Sequence, residues 1–207
     1  MLRRTNIQRT PAGAEHGKFH RTASNIVYMG AAGHFYRSTD SGASWQRTTS
    51  VSDNSAIDDI AVDPLNSGRV YAATGTSVLV SQDGGLTFTP VALPNRQGSV
   101  WRIDCGVDGA IYVPDGAKMY RSNDQGRTWQ VAGTFPQSNV DAYSLVAADP
   151  ADARVVYVSV LGRGAFVSRD AGASWQALDS EPQLSMTLRR ATVRSPCKHR
   201  QLPRKRT

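Results

Sequence analysis

The sequence predicts an all-β protein, a β-propeller of about four four-stranded blades, and three observations carry that expectation. One octapeptide pattern, S-x-D-x-G-x-[S/T]-[W/F], occurs four times, at Ser38–Trp45, Ser81–Phe88, Ser122–Trp129 and Ser168–Trp175. Its aspartates, Asp40, Asp83, Asp124 and Asp170, are separated by 43, 41 and 46 residues, which is the length of a four-stranded propeller blade. Between residues 26 and 180 no stretch places apolar residues at helical spacing over a useful length.

Each repeat reads as strands A to D with the octapeptide in the C–D turn. The runs Phe35-Tyr-Arg, Val78-Leu-Val, Met119-Tyr-Arg and Ala165-Phe-Val enter the turns as C strands. One strand earlier lie Ile26-Val-Tyr-Met, Val70-Tyr-Ala-Ala, Ala110-Ile-Tyr-Val and Val155-Val-Tyr-Val, each with a tyrosine in its middle. Two repeats add an upstream run ending in Asp-Pro, Ile60–Pro64 and Val146–Pro150, where proline ends a strand and enforces a turn.

The octapeptide has a mechanical explanation that needs no ligand. Gly42, Gly85, Gly126 and Gly172 permit the positive φ of a tight hairpin, the aspartate accepts hydrogen bonds from turn amides, and the Ser or Thr hydroxyl adds another. The ring that follows, Trp45, Phe88, Trp129 or Trp175, is expected to lie between neighbouring sheets.

Complete strand sets are expected at 56–92, 99–133 and 140–179, whereas residues 26–50 supply only strands B, C and D of a first blade. Residues 184–191, in which Leu184, Met186 and Leu188 alternate, are a candidate for its missing inner strand. Pairing there closes a four-bladed ring and removes its sheet edges. The alternative is an incomplete larger propeller, an open arc. The propeller is thus assigned to residues 26–191, with a basic disordered segment at 1–25 and a basic disordered tail at 192–207.

Charge follows the same division. The net charge is +7 overall, but residues 1–25 carry +4 (five Lys/Arg, one Glu) and residues 181–207 carry +7 (eight Lys/Arg, one Glu), leaving −4 for the folded part. Nucleic-acid binding through the folded domain loses its electrostatic basis. Cys105 and Cys197 are the only cysteines, too few for a disulfide framework or a thiolate metal site. The four histidines have no metal-triad spacing, so neither metal nor cofactor is expected. No run nears the length needed to span a bilayer, and the first residues lack the apolar core of a secretory signal; no membrane partner is expected and localisation stays open.

In a propeller, ligands meet the face built from the D–A and B–C connections. There the sequence places Asp53, Asp58, Asp59, Asp104, Asp115 and Asp141, with Trp101 as the only tryptophan outside an octapeptide and Arg96 and Arg102 beside it. Inverting glycoside hydrolysis requires two carboxyl groups about 6.5–9.5 Å apart. Asp58 and Asp141 are the candidate pair, and Trp101 and Arg102 the candidate substrate contacts. Each residue also has an ordinary role open to it, the aspartates in solvated turns and Trp101 in the core.

The four octapeptides, with Ile60-Ala-Val-Asp-Pro-Leu-Asn-Ser-Gly-Arg-Val-Tyr71 and Gly162-Arg-Gly-Ala-Phe-Val-Ser168, resemble the Asp-box (BNR-repeat) propellers over about 155 residues. Within that group the chain looks most like the xyloglucan-hydrolysing glycosidases, and also like sortilin-type receptors and photosystem assembly factors. The resemblance implies a polysaccharide, plant-type β-glucan of the xyloglucan sort, or else a protein ligand held by a noncatalytic propeller. Those families usually close with more blades, so it also implies a partial or degenerate propeller. Catalytic motifs do not carry over. The Arg-Ile-Pro element of Asp-box sialidases is missing, Trp101-Arg-Ile-Asp-Cys105 being the nearest string. The Thr-Asp-Val-Gly-Gly stretch of the xyloglucanases is missing too, and Gln82-Asp-Gly-Gly85 belongs to a box.

Overall fold

The computed structural model describes residues 18–21, 25–31, 33–48, 56–96, 98–135 and 143–178. They form sixteen strands in four antiparallel sheets. The first sheet holds β1 (Lys18–Arg21), β2 (Val27–Ala31), β3 (His34–Ser38) and β4 (Gln46–Arg47). The second holds β5 (Asp59–Val62), β6 (Val70–Ala73), β7 (Val78–Ser81) and β8 (Thr89–Val91). The third holds β9 (Asp104–Cys105), β10 (Ile111–Asp115), β11 (Lys118–Ser122) and β12 (Gln130–Thr134), and the fourth β13 (Tyr143–Ala148), β14 (Val156–Val160), β15 (Gly164–Ser168) and β16 (Gln176–Ala177). In every sheet the strands pair in chain order, as blades do. The three complete strand sets read from the sequence fall where they were expected.

Burial explains why these runs become these strands. The middle strands of the second sheet are covered on both faces by neighbouring sheets, so all of Val70–Ala73 and Val78–Ser81 is buried and the runs are almost continuously apolar. The fourth strands lie at the rim, and Gln46–Arg47 and Gln176–Ala177 are exposed. The core accordingly sits between sheets as three clusters. Tyr28, Phe35, Ile57 and Ile60 belong to the first junction, Tyr71, Val80, Val100 and Ile111 to the second, and Tyr112, Met119, Val158 and Trp175 to the third.

The octapeptide of one blade docks on the blade before it. A β-carbon on Gly85 would lie 2.9 Å from Phe35 and 3.1 Å from Tyr28, and one on Gly126 would lie 2.9 Å from Val80. Only glycine fits at this approach. The rings lock the same junctions: Phe88 packs on Phe35 and Trp175 on Phe135, each with centroids 4.6 Å apart. Nearer the axis, Asp59 Oδ2 accepts a hydrogen bond from the Ile103 amide (3.3 Å), and one blade on Asp104 Oδ2 accepts one from the Ala148 amide (3.0 Å). Both span 44 residues, so the clip repeats with the blade.

Of the two arrangements left open by the sequence, the described strands fit the incomplete one. The first sheet has its inner strand, and it comes from the N-terminal side: β1 pairs with β2 in the register Lys18↔Gly30 to Arg21↔Val27. The edge proposed for residues 184–191, which lie outside the described residues, is therefore occupied by β1. Its cause is the backbone of β2, whose unpaired edge takes Lys18-Phe-His-Arg21 despite its polar composition. Nor do the four sheets close on themselves: the inner strands β1, β5, β9 and β13 touch in succession, but among the described residues β13 does not touch β1. The described strands form an open arc, a partial propeller.

Candidate functional site

The meander gives the arc two ends. The C–D turns with the octapeptides share one end with the A–B turns; the D–A and B–C connections share the other. At the first end four copies of one bonding scheme recur. In the first copy the Ser38 hydroxyl donates to Asp40 Oδ1 (2.7 Å) and accepts from the Gly42 amide (2.8 Å). Asp40 Oδ1 and Oδ2 accept from the Ser44 amide (2.8 Å) and hydroxyl (2.6 Å). Asp83, Asp124 and Asp170 repeat the set with Thr87, Thr128 and Ser174. These hydrogen bonds, that from the Ser44 or Thr128 hydroxyl foremost, hold the Asp40 and Asp124 carboxyls down at about 2. At Asp83 burial acts first and pulls upward, yet the bonds from Thr87 and Ser81 outweigh it and leave the carboxyl at about 2. Asp170 is lowered too, through Ser174 first. Carboxylates so satisfied and so acidic are poor proton donors or acceptors at neutral pH. The backbone adds a detail the sequence did not disclose: the residue before each box glycine also has positive φ, at Ser41 (60°), Gly84 (73°), Gln125 (67°) and Ala171 (58°).

At the other end the second and third blades are joined by their own connections. Gly75, in the β6–β7 turn, exchanges two backbone hydrogen bonds with Val100, its amide donating to the Val100 carbonyl (2.8 Å) and its carbonyl accepting in return (3.0 Å). This places the loop ahead of β9 beside the start of β5. Asp58 and Trp101 then flank one point: a β-carbon on Gly75 would lie 3.4 Å from Asp58 Oδ2 and 3.5 Å from Trp101 Nε1. Arg96 Nη1 donates to the Gly75 carbonyl (3.1 Å) and Arg102 Nη1 to the Trp101 carbonyl (2.7 Å). A carboxylate, an indole and two guanidinium groups thus share one patch. Trp101 lies in a loop, not a strand, and is 41% exposed, so its core reading is corrected.

The remaining candidates separate. Asp59 and Asp104 are the inter-blade clips, engaged with backbone amides. Asp115 ends β10, is 1% exposed, and lies against Gly98, where any β-carbon would strike its Oδ1. Asp53 and Asp141 lie outside the described residues. Gly75, which gathers the patch, was missed; its signal was a lone glycine between two short strand-like runs, the mark of a tight connection. Cys105 offers no nucleophile, because burial above all, and then the carboxylates of Asp63, Asp104 and Asp108, push its thiol up. Among the described residues no three His, Cys, Asp or Glu side chains converge as a metal ion requires, and no helix is long and apolar enough to cross a membrane.

No family model matches the sequence. Among curated proteins the chain is 32% identical to a xyloglucanase of Hypocrea jecorina over 171 residues, covering 79% of this chain and 20% of that protein. It is 30% identical to an oligoxyloglucan-reducing end-specific xyloglucanase of Emericella nidulans over 143 residues, covering 59% and 18%. Among solved structures it superposes on the GH74 enzyme of Niastella koreensis with a TM-score of 0.67 at 21% identity, over 82% of this chain and 30% of that one. The chain is a partial β-propeller of the xyloglucanase type. A shorter stretch also resembles a vacuolar protein sorting/targeting protein 10 of Schizosaccharomyces japonicus, 39% identical over 73 residues, 35% of this chain and 5% of that one. This xyloglucanase-type propeller spans about a fifth of the length of the first curated relatives it matches.

Proposed function

We propose that this glycoside-hydrolase-like propeller holds a β-glucan chain of the xyloglucan kind on its channel face, across the junction of the second and third blades. Trp101 supplies the stacking surface, since a half-open indole offers a flat apolar face to the sugar ring. Asp58, Arg96 and Arg102 supply directional polar contacts around it. The observation that carries the reading is the convergence of Asp58 and the exposed Trp101 on Gly75. Hydrolysis requires a second carboxyl group at the inverting separation, and Asp141 is the residue assigned to it, with Asp58 as its partner.

The test is a pair of measurements on the 207-residue chain. Isothermal titration with xyloglucan oligosaccharides is expected to give binding that Trp101→Ala weakens about tenfold or more. A reducing-sugar assay on xyloglucan is expected to give turnover that Asp58→Asn and Asp141→Asn each abolish. Binding without turnover supports the second reading, a noncatalytic propeller presenting this face to a glycan or protein. That reading is favoured by the commitment of Asp59 and Asp104, two carboxylates of this face, to backbone amides of the following blade. Absence of both binding and turnover overturns the glycan assignment.

A further inference from the structure

The residue that precedes the box serine differs between the three blades that are followed by another. It is Arg37 in the first, Val80 in the second and Arg121 in the third, and each pairs across the sheet with the second-strand tyrosine, Tyr28, Tyr71 or Tyr112. Arg37 reaches the second box, where a β-carbon on Gly84 would lie 3.7 Å from its Nη2. Arg121 lies over the Tyr112 ring, 5.7 Å from the centroid, and bonds Asp108 (3.4 Å). Val80 has no such reach, and between the second blade and the third box a groove of about 380 Å³ remains, a volume in the range of small-molecule sites. Val80 and Val91 form its apolar floor, and Gln82, Asp83, Gln125 and Arg127 line its sides. Arg69 does not replace the lost arginine there, since it pairs with Asp63 (3.4 Å) and lies outside the lining.

The third box departs from the others at the same place. Arg127 stands where they have Ala43, Leu86 and Ala173, and Gln125 where they have Ser41, Gly84 and Ala171. Arg127 is exposed, and among the described residues its guanidinium has neither a hydrogen bond nor an ion pair. Across the groove, Asp83 Oδ2 takes one hydrogen bond, from the Thr87 hydroxyl (2.6 Å), and a carboxylate oxygen has room for two. The groove thus lacks an arginine side chain that its neighbours have, and it carries one cation and one anion that no ion pair engages. We propose that it binds a small molecule with a guanidinium on an aliphatic stem and a carboxylate at the other end, of which free arginine is the simplest. The stem lies on Val80 and Val91, the guanidinium meets Asp83 Oδ2, and the carboxylate meets the fork of Arg127. This site is at the hairpin end and does not depend on the glycan reading of the channel face.

The methyl resonances of Val80 and Val91 in the 207-residue chain, followed by NMR as L-arginine is added at constant ionic strength, are expected to shift and saturate. Agmatine, which lacks the carboxylate, and citrulline, which lacks the positive charge, are each expected to bind about fivefold more weakly, the worth of an exposed ion pair. Two variants borrow residues that the chain itself uses at the matching positions. Arg127→Ala repeats the first and fourth boxes, and is expected to weaken arginine about fivefold while leaving agmatine unchanged. Val80→Arg repeats the first and third blades, filling the groove from within, and is expected to abolish the shift at Val91 with the circular dichroism of the chain unaltered. Shifts that are absent or do not saturate, agmatine bound as tightly as arginine, or an arginine affinity indifferent to Arg127→Ala overturns the proposal.

Discussion

The two ends of the sheets are made by the same strands and obey different rules. At the hairpin end, four turns repeat one set of bonds around Asp40, Asp83, Asp124 and Asp170. At the channel end, the connection that carries Trp101 is anchored by a backbone pairing between Gly75 and Val100 that is peculiar to the second and third blades among the described residues. Repetition is what a scaffold requires, because every blade must meet its neighbour in the same way. A site needs only one place, and the irregular connection is where the polar and aromatic groups gather.

The sharpest way to break this contrast is to remove one tryptophan from each end. Trp175→Ala empties the third junction, where the ring packs on Phe135, and is expected to lower the unfolding free energy by about 3–5 kcal/mol in urea titrations. Trp101→Ala, at an exposed loop, is expected to change it by no more than about 0.5 kcal/mol while glycan affinity falls. Equal effects on stability would erase the distinction.

The hairpin end was legible because its signal is local. Eight residues contain the donor, the acceptor, the turn glycine and the ring, so Asp124 and Trp129 could be assigned from spacing alone. The channel end was not, since whether Trp101 lies in a strand or a loop depends on Gly75, far away in the chain, pairing with Val100. The first inner strand escaped for a related reason. Lys18-Phe-His-Arg21 lacks the apolar run of Ile60-Ala-Val62, and it is a strand because β2 offers it an edge. Composition pointed instead to the alternating residues 184–191.

A middle-sized effect sharpens the account of the hairpins. Ser122 is 1% exposed, and its hydroxyl both donates to Asp124 and accepts from the Gly126 amide. Ser122→Ala leaves that amide without its partner and is expected to cost about 1–3 kcal/mol by the same titrations.

Acid provides a gentler probe. Because the Asp40, Asp83 and Asp124 carboxyls are held at about 2 in the folded chain, below the ordinary value of about 3.9, their support is fully present above that ordinary value. It is lost as pH falls through about 2. Carboxyl carbon resonances of Asp40 and Asp124 followed by NMR are expected to titrate only in that acidic window; midpoints near the ordinary value would deny the bonding scheme.

The smallest expected change is a gain. Ala171 holds a φ of +58° where Gly84 stands in the second box. Ala171→Gly relieves a left-handed conformation but makes the unfolded chain more flexible, so a net stabilisation of about 0.5 kcal/mol is expected, read as a slight rise in denaturation midpoint.

The clips at Asp59 and Asp104 constrain how such a sequence can drift. Each carboxylate reaches forward to a main-chain amide, at Ile103 or Ala148, and every amino acid except proline supplies that donor. The receiving position is thus free to change its side chain, while the count of residues leading up to it is not free. Substitutions there are absorbed in silence, whereas a one-residue insertion ahead of β9 or β13 pulls the amide away from its carboxylate and lets the adjoining wedges slide.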